Sequence, residues 1–161
     1  GRAGCDSASW RLSYRHMATS VARQSATRLL GLPLAEDDPV RLVEALEAGL
    51  PKSALTRFKR RAGLADADLA GLLRVGARTL TRLKGQASGP LPADLSERLY
   101  ALAAIYAEAE RVFGDSATAL EWLAAPQFAL GDKVPRELMA SELGRQQVSA
   151  VLKRIEHGLL A

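Results

Sequence analysis

Between Pro92 and Gly114 the residues Leu95, Leu99, Leu102, Tyr106, Ala109 and Phe113 recur at steps of three or four. That spacing puts them on one face of a helix about six turns long. A helix with one continuous apolar stripe is stable in water only when other elements cover the stripe, so this run dictates a helical assembly built around it. The rest of the chain agrees. Of its 161 residues 48% are hydrophobic, with alanine and leucine abundant, and only 5% are aromatic, a balance that favours helices over a sandwich or barrel. No segment keeps strand-like alternation, and the fold class expected is all-α.

Shorter helices precede the long one. "DDPVRLVEALEAGLP" predicts a helix from Pro39 to Ala48, capped by Asp38, started by Pro39 and stopped at Gly49-Leu50-Pro51. The stretch from Ala18 to Leu30 reads either as a loose helix or as an ordered arm. "KSALTRFKRRAG" places Leu55, Phe58 and Ala62 on one side and stops at Gly63, and "LADADLAGLLRVG" does the same with Leu69, Leu72 and Leu73. "ARTLTRLKG" is a short helix with Leu80 and Leu83 inward. After Gly114, "DSATALEWLAAP" forms a short helix, "FALGDKVP" a loop, "PRELMAS" another short helix and "GRQQVSAVLKRIEHG" the last, with Val148, Val151, Leu152 and Ile155 as its buried stripe. Phe113, Trp122 and Leu130 are expected in the core. "RHM" at residues 15–17 reads either as a junction between a tag and the native start or as part of an extended native start, and in both cases residues 1–16 stand apart from the expected fold.

The chemistry-bearing residues are few. A single cysteine, Cys5, and two histidines, His16 and His157, exclude a disulfide framework and leave no ligand set for a metal. Glu156 and His157 are neighbours in sequence and do not share a helix face, and no Ser or Cys nucleophile lies three or four positions away. The chain is therefore not expected to be an enzyme or to need a cofactor. It has no apolar stretch of membrane-spanning length and no hydrophobic leader, which makes the cytoplasm the expected location.

Charge is unevenly distributed. Residues 1–49 carry six basic and six acidic side chains, residues 50–112 eleven and six, and residues 113–161 five and six. A basic middle third beside a near-neutral end suggests a polyanion for the first and a different partner for the second. Within the basic third, the succession of helix, Val75-Gly76 turn and short helix has the geometry of a helix-turn-helix, with Leu69, Val75 and Leu80 filling the angle. Arg78, Thr81, Arg82 and Lys84 would face outward. Arg78 and Arg82 can pair bidentately with guanine and Thr81 offers a methyl or hydroxyl, whereas Lys84 and the bracing residues Arg57, Lys59 and Arg60 suit phosphates.

These motifs resemble a known family. "DLAGLLRVGARTLTRLKG" is similar to the helix-turn-helix of the Xre/MbcA/ParS antitoxins. The second half carries Phe113-Gly114, Trp122-Leu123, Pro126, Leu130-Gly131, Pro135, Gly144 and the terminal "RIEHG" in that family's order. Three departures stand in the first half: Arg74 where the family often has glycine, Gly76 where it often has a serine cap, and Ala65 where a Ser or Thr cap would precede Asp68. The resemblance implies three parts: an N-terminal arm and short helix (1–48), a helix-turn-helix and dimerisation domain (49–108), and a toxin-binding domain (109–161). It implies an antitoxin that binds a RES-domain toxin, an NAD consumer, and that as a homodimer represses its own operon through operator DNA, with no membrane contact. In that setting the end of the chain reads as a plug for the toxin cleft. Glu156 and the Ala161 carboxylate would stand in for phosphates, Leu159 and Leu160 would be desolvated around them, and Arg154 and His157 would orient the tail or meet the rim. A different reading of His157 is a favourable interaction with its own helix end. The competing function is a stand-alone helix-turn-helix regulator whose C-terminal domain senses a small molecule, although few aromatic or convergent polar residues there would line a pocket.

Overall fold

The computed structural model describes residues 26–34, 38–86 and 88–159. The 1–16 segment, Cys5, His16, Leu160 and Ala161 lie outside the described residues, as does most of the stretch from Ala18 to Leu30. Among the described residues of that stretch, 26–30 are helical (α1). There follow α2 (Pro39–Ala48), α3 (Lys52–Ala62), α4 (Asp66–Leu73), α5 (Ala77–Gly85), α6 (Ala93–Phe113), α7 (Ser116–Ala124), a 3-10 turn (Phe128–Leu130), α8 (Pro135–Leu138) and α9 (Glu142–Glu156). The only departure from helix and loop among them is an isolated antiparallel bridge between Gln127 and Lys133.

Helix starts follow local chemistry. Asp38 accepts hydrogen bonds from the Val40 and Arg41 amides at 3.0 and 3.1 Å, and Asp115 caps α7 through the Thr118 amide at 2.8 Å, each satisfying donors that a helix start leaves open. The last helix starts at Glu142, two residues before the expected Gly144, because the Ser141 Oγ accepts from the Gly144 amide at 3.0 Å. α8 is shorter than "PRELMAS", stopping at Leu138.

Several helices end in one hydrogen-bond pattern. At the end of α3, the Gly63 and Leu64 amides return to the Arg60 and Lys59 carbonyls; at the end of α9, Gly158 and Leu159 return to Ile155 and Arg154 in the same way. In each, a left-handed residue is followed by an apolar one, which is the Schellman arrangement. α4 closes likewise with Arg74 in the left-handed position at φ 56°.

α6 is the spine. It packs against α2, α3, α4, α7 and α9. Leu99, Leu102, Ala103 and Ala109 are fully buried in it. Phe58 of α3 meets Tyr106 edge-on at 5.2 Å, and the Arg98 Nη1 donates to the Leu73 carbonyl at 2.7 Å, tying the end of α4 to the spine. Val148, Val151 and Leu152 seat α9, while Ile155 is half-buried. Phe113, Trp122 and Leu130 are half-buried rather than central and pack against the core from outside. Phe113 and Trp122 lie 5.6 Å apart, centroid to centroid, and cover the bend from α6 into α7.

Candidate functional site

Leu69 and Leu80 are buried and Val75 half-buried between α4 and α5, so the angle expected for a helix-turn-helix is filled by the expected residues. The turn keeps its geometry without the usual residues. Arg74 takes the left-handed conformation that glycine adopts without steric cost, and Gly76 stands at the N-cap of α5 with no side-chain cap bond. Arg78, Thr81 and Arg82 are exposed at positions i, i+3 and i+4 and therefore share a face of α5. Neither arginine has an ion pair among the described residues. The Thr81 hydroxyl donates to the Ala77 carbonyl at 3.0 Å, leaving its methyl and lone pairs to an incoming group.

The residues assigned to phosphates do not form one patch. Lys59 of α3 and Lys84 of α5 both contact the carboxylate of Asp66, at 2.8 and 2.9 Å. Hydrogen bonds from Lys59 and then Lys84 hold the Asp66 carboxyl below its usual value, and the Lys59 ammonium is raised in return by Asp66. Asp66 thus joins the bracing helix to the end of the outward helix. Arg57 lies about 160° around α3 from Lys59, and its side chain crosses the α1 turn: a Cβ on Gly31 would meet the Arg57 Cδ and Nε at 2.6 Å. Arg60 is exposed between these two groups.

At the other end of the molecule, Glu156 is not a loose anion. Arg111, at the end of α6, binds both of its carboxylate oxygens, and this guanidinium holds the Glu156 carboxyl below its ordinary value. About two turns earlier on α9, the Ser149 hydroxyl donates to the Glu108 carboxylate at 2.8 Å. Glu108 is 8% exposed, and burial raises its carboxyl despite the Ser149 bond. His157 occupies the C-cap position, its amide bonded to Lys153, and Gly158 supplies the left-handed residue at φ 66°, so "EHG" ends a helix before it does anything else. Arg154 and His157 are exposed, and Leu159 is 71% exposed. The pairings of Arg111 with Glu156, Glu108 with Ser149 and Asp66 with Lys59 are not legible in the sequence, since the partners lie 7 to 45 residues apart and no local pattern joins them.

The two carboxylates across the α6–α9 contact respond oppositely to pH. Glu108, raised in the folded state, contributes stability below its unfolded value that is lost as pH rises through its folded value. Glu156, lowered, contributes stability above its unfolded value that is lost as pH falls through its folded one. Glu108→Gln keeps an oxygen acceptor for Ser149 and removes the buried charge. Its melting temperature relative to the unchanged chain should be near equal around pH 4 and higher at pH 7 and above. A difference that stays flat from pH 4 to pH 8 would contradict this.

Residues 41–104 match the Xre-like helix-turn-helix domain of antitoxins, and residues 108–158 match the C-terminal toxin-binding domain of the Xre/MbcA/ParS antitoxins. The chain is homologous to the Xre/MbcA/ParS antitoxins. The two matches divide along α6, which serves both domains. Curated relatives include an antitoxin Xre of Yersinia enterocolitica, 24% identical over 147 residues that span 91% of this chain and 97% of the relative. Another, from Photorhabdus laumondii, is 24% identical over 83% of this chain and 89% of its own length. An antitoxin Xre of Pseudomonas putida is 36% identical over 43% of each chain. Homology to antitoxins identifies a non-enzymatic regulator with a helix-turn-helix. Among the described residues, no helix is long and apolar enough to cross a membrane.

Proposed function

We propose that this chain neutralises an NAD-consuming RES-domain toxin by binding it through residues 108–158 and presenting the end of α9 to the toxin's active-site cleft. The observation that carries this reading is the match of that segment to a toxin-binding domain. Its support is the geometry of the α9 end. The Arg111–Glu156 pair clamps the last turn to α6, the Schellman closure fixes the direction of exit, and Leu159 leaves the turn almost uncovered. Arg154 and His157 flank that exit. Because Glu156 brings Arg111 with it, the pair offers a cleft a weaker anion than a lone carboxylate would, and more of the contact falls to Leu159 and the residues after it. In cells, expression of the RES-domain partner should deplete NAD and stop growth, and co-expression of this chain should reverse both. NAD loss unchanged by co-expression would refute the proposal.

The same chain represses its own operon as a homodimer, since one helix-turn-helix reads too few base pairs to be selective. α2 supports pairing: it buries no residue, and it leaves Val40 and Val43 64% and 53% exposed less than one turn apart. Arg78 and Arg82 carry specificity. Arg78→Ala should cost about 1–3 kcal/mol on the operator and relax selectivity. Asp66→Asn should act differently, releasing Lys59 and Lys84 to phosphates, so affinity for any duplex rises and the salt dependence steepens. Mobility shifts at several salt concentrations distinguish the two. An Asp66→Asn protein with unchanged salt slope would remove Lys59 and Lys84 from the interface.

A further inference from the structure

The chain has three phenylalanines, and they occupy very different places. Phe58 is fully buried, Phe113 is half-buried against Trp122, and Phe128 is 92% exposed. An apolar side chain alone on a surface is ordinary where the backbone wanders. Phe128 sits on backbone that does not wander. The loop from Gln127 to Lys133 is closed by the Gln127 amide to the Lys133 carbonyl at 3.0 Å, and inside that closure the Leu130 and Asp132 amides both return to the Gln127 carbonyl, at 2.9 and 3.0 Å. The Gly131 amide returns to the Phe128 carbonyl at 3.0 Å.

Gly131 and Asp132 are both left-handed, at φ 65° and 60°. From below, the Gln127 side-chain Nε2 donates to the Trp122 and Ala125 carbonyls at 3.0 and 3.1 Å, joining the loop to the end of α7. Leu130 turns toward the core. The loop's hydrogen bonds and its inward leucine are complete without Phe128, whose ring the loop holds out in water at a fixed position.

We infer that the Gln127–Lys133 loop is a second docking element for the toxin, with Phe128 as the anchor that enters an apolar pocket on the toxin surface. This rests on the reading of residues 108–158 as toxin-binding, and that match is what names the occupant, since the loop lies within it. A rigidly presented aromatic ring loses little conformational freedom on binding and gains a large contact area, which is why such residues dominate binding energy. The loop's charges, Asp132 and Lys133, cancel, so the pocket that receives it is apolar and of no strong charge, unlike the anion-binding cleft met by the tail. The loop therefore sets affinity, and the α9 end sets obstruction of the toxin site.

Phe128→Ser tests this in the full-length protein against its purified RES-domain partner. The folded state should be untouched, with an unchanged melting temperature, because the ring has almost no contacts to lose. The dissociation constant should rise by about 30-fold, the scale of an anchor residue, while inhibition of NAD consumption at saturating protein remains complete. Equal affinity of the variant and the unchanged chain would overturn the inference and leave the toxin reading standing. Failure of the unchanged chain itself to bind would overturn both. A shift of the variant from dimer to monomer, with no change in toxin affinity, would overturn it by assigning Phe128 to self-association.

Discussion

Gly144→Ala should cost about 3 kcal/mol of stability, the upper part of the range for a side chain forced into occupied space, and lower the melting temperature by roughly 6–12 °C. A Cβ at this position would lie 1.7 Å from the Leu138 carbonyl oxygen and 2.6 Å from its carbon. Both atoms are backbone, so no rotamer change relieves the clash, and α8 would have to move away from the first turn of α9. That movement would disturb the Ser141 cap, whose Oγ lies 2.9 Å from the added carbon. Val148 and Leu152, one and two turns further along, are fully buried, so the displacement would be carried into the seating of α9 on α6. Toxin inhibition should fall with it. Operator binding should persist at temperatures below the new transition, because α3, α4 and α5 make no use of this junction. Gly71→Ala is the matched control: it lies within α4 with nothing within 4 Å of the added carbon, and replacing a helical glycine there should leave the melting temperature level or raise it. Equal behaviour of the two substitutions would show that the α8–α9 contact does not hold the C-terminal domain together.

Removal of residues 158–161 should abolish most of the inhibition of NAD consumption even at saturating protein, because the tail supplies the obstruction, while leaving operator retardation unchanged. The truncation removes the left-handed Gly158 and the exposed Leu159 but neither Arg111 nor Glu156, so the clamp on the last turn of α9 survives. Loss of the helix-closing bonds at Ile155 and Arg154 costs a frayed last turn only. A truncated protein that blocked the toxin at the same concentration would end the plug reading and would leave the homology to antitoxins intact.

Much of the fold was legible because its determinants are local. The Asp38 cap with Pro39 behind it and the stop at Gly49 placed α2 within the bounds the structure has, and the three-four spacing of Leu95 to Phe113 located the spine. The start of α9 was not, because Gly144 reads as a helix boundary, whereas Ser141 is the cap and the glycine serves close packing against Leu138. Phe113, Trp122 and Leu130 were read as core from their apolar character alone, but at the bend after α6 there are too few layers around them to bury them fully. At the candidate sites, residue type identified Arg78 and Arg82, which act by projecting from one helix. It could not foresee that Asp66 would gather Lys59 and Lys84, or that Glu156 would be taken by Arg111. Those pairings arise where separate helices cross, and a carboxylate's partner is decided by that crossing rather than by its neighbours in sequence.

The central claim, that the chain silences a toxin by occupying it, is tested most directly by titrating the full-length protein into a fixed amount of its purified RES-domain partner while following NAD consumption. The account predicts a linear fall in rate that reaches zero at a fixed molar ratio, with no further effect of added protein. A rate that stays constant through a large molar excess would contradict it.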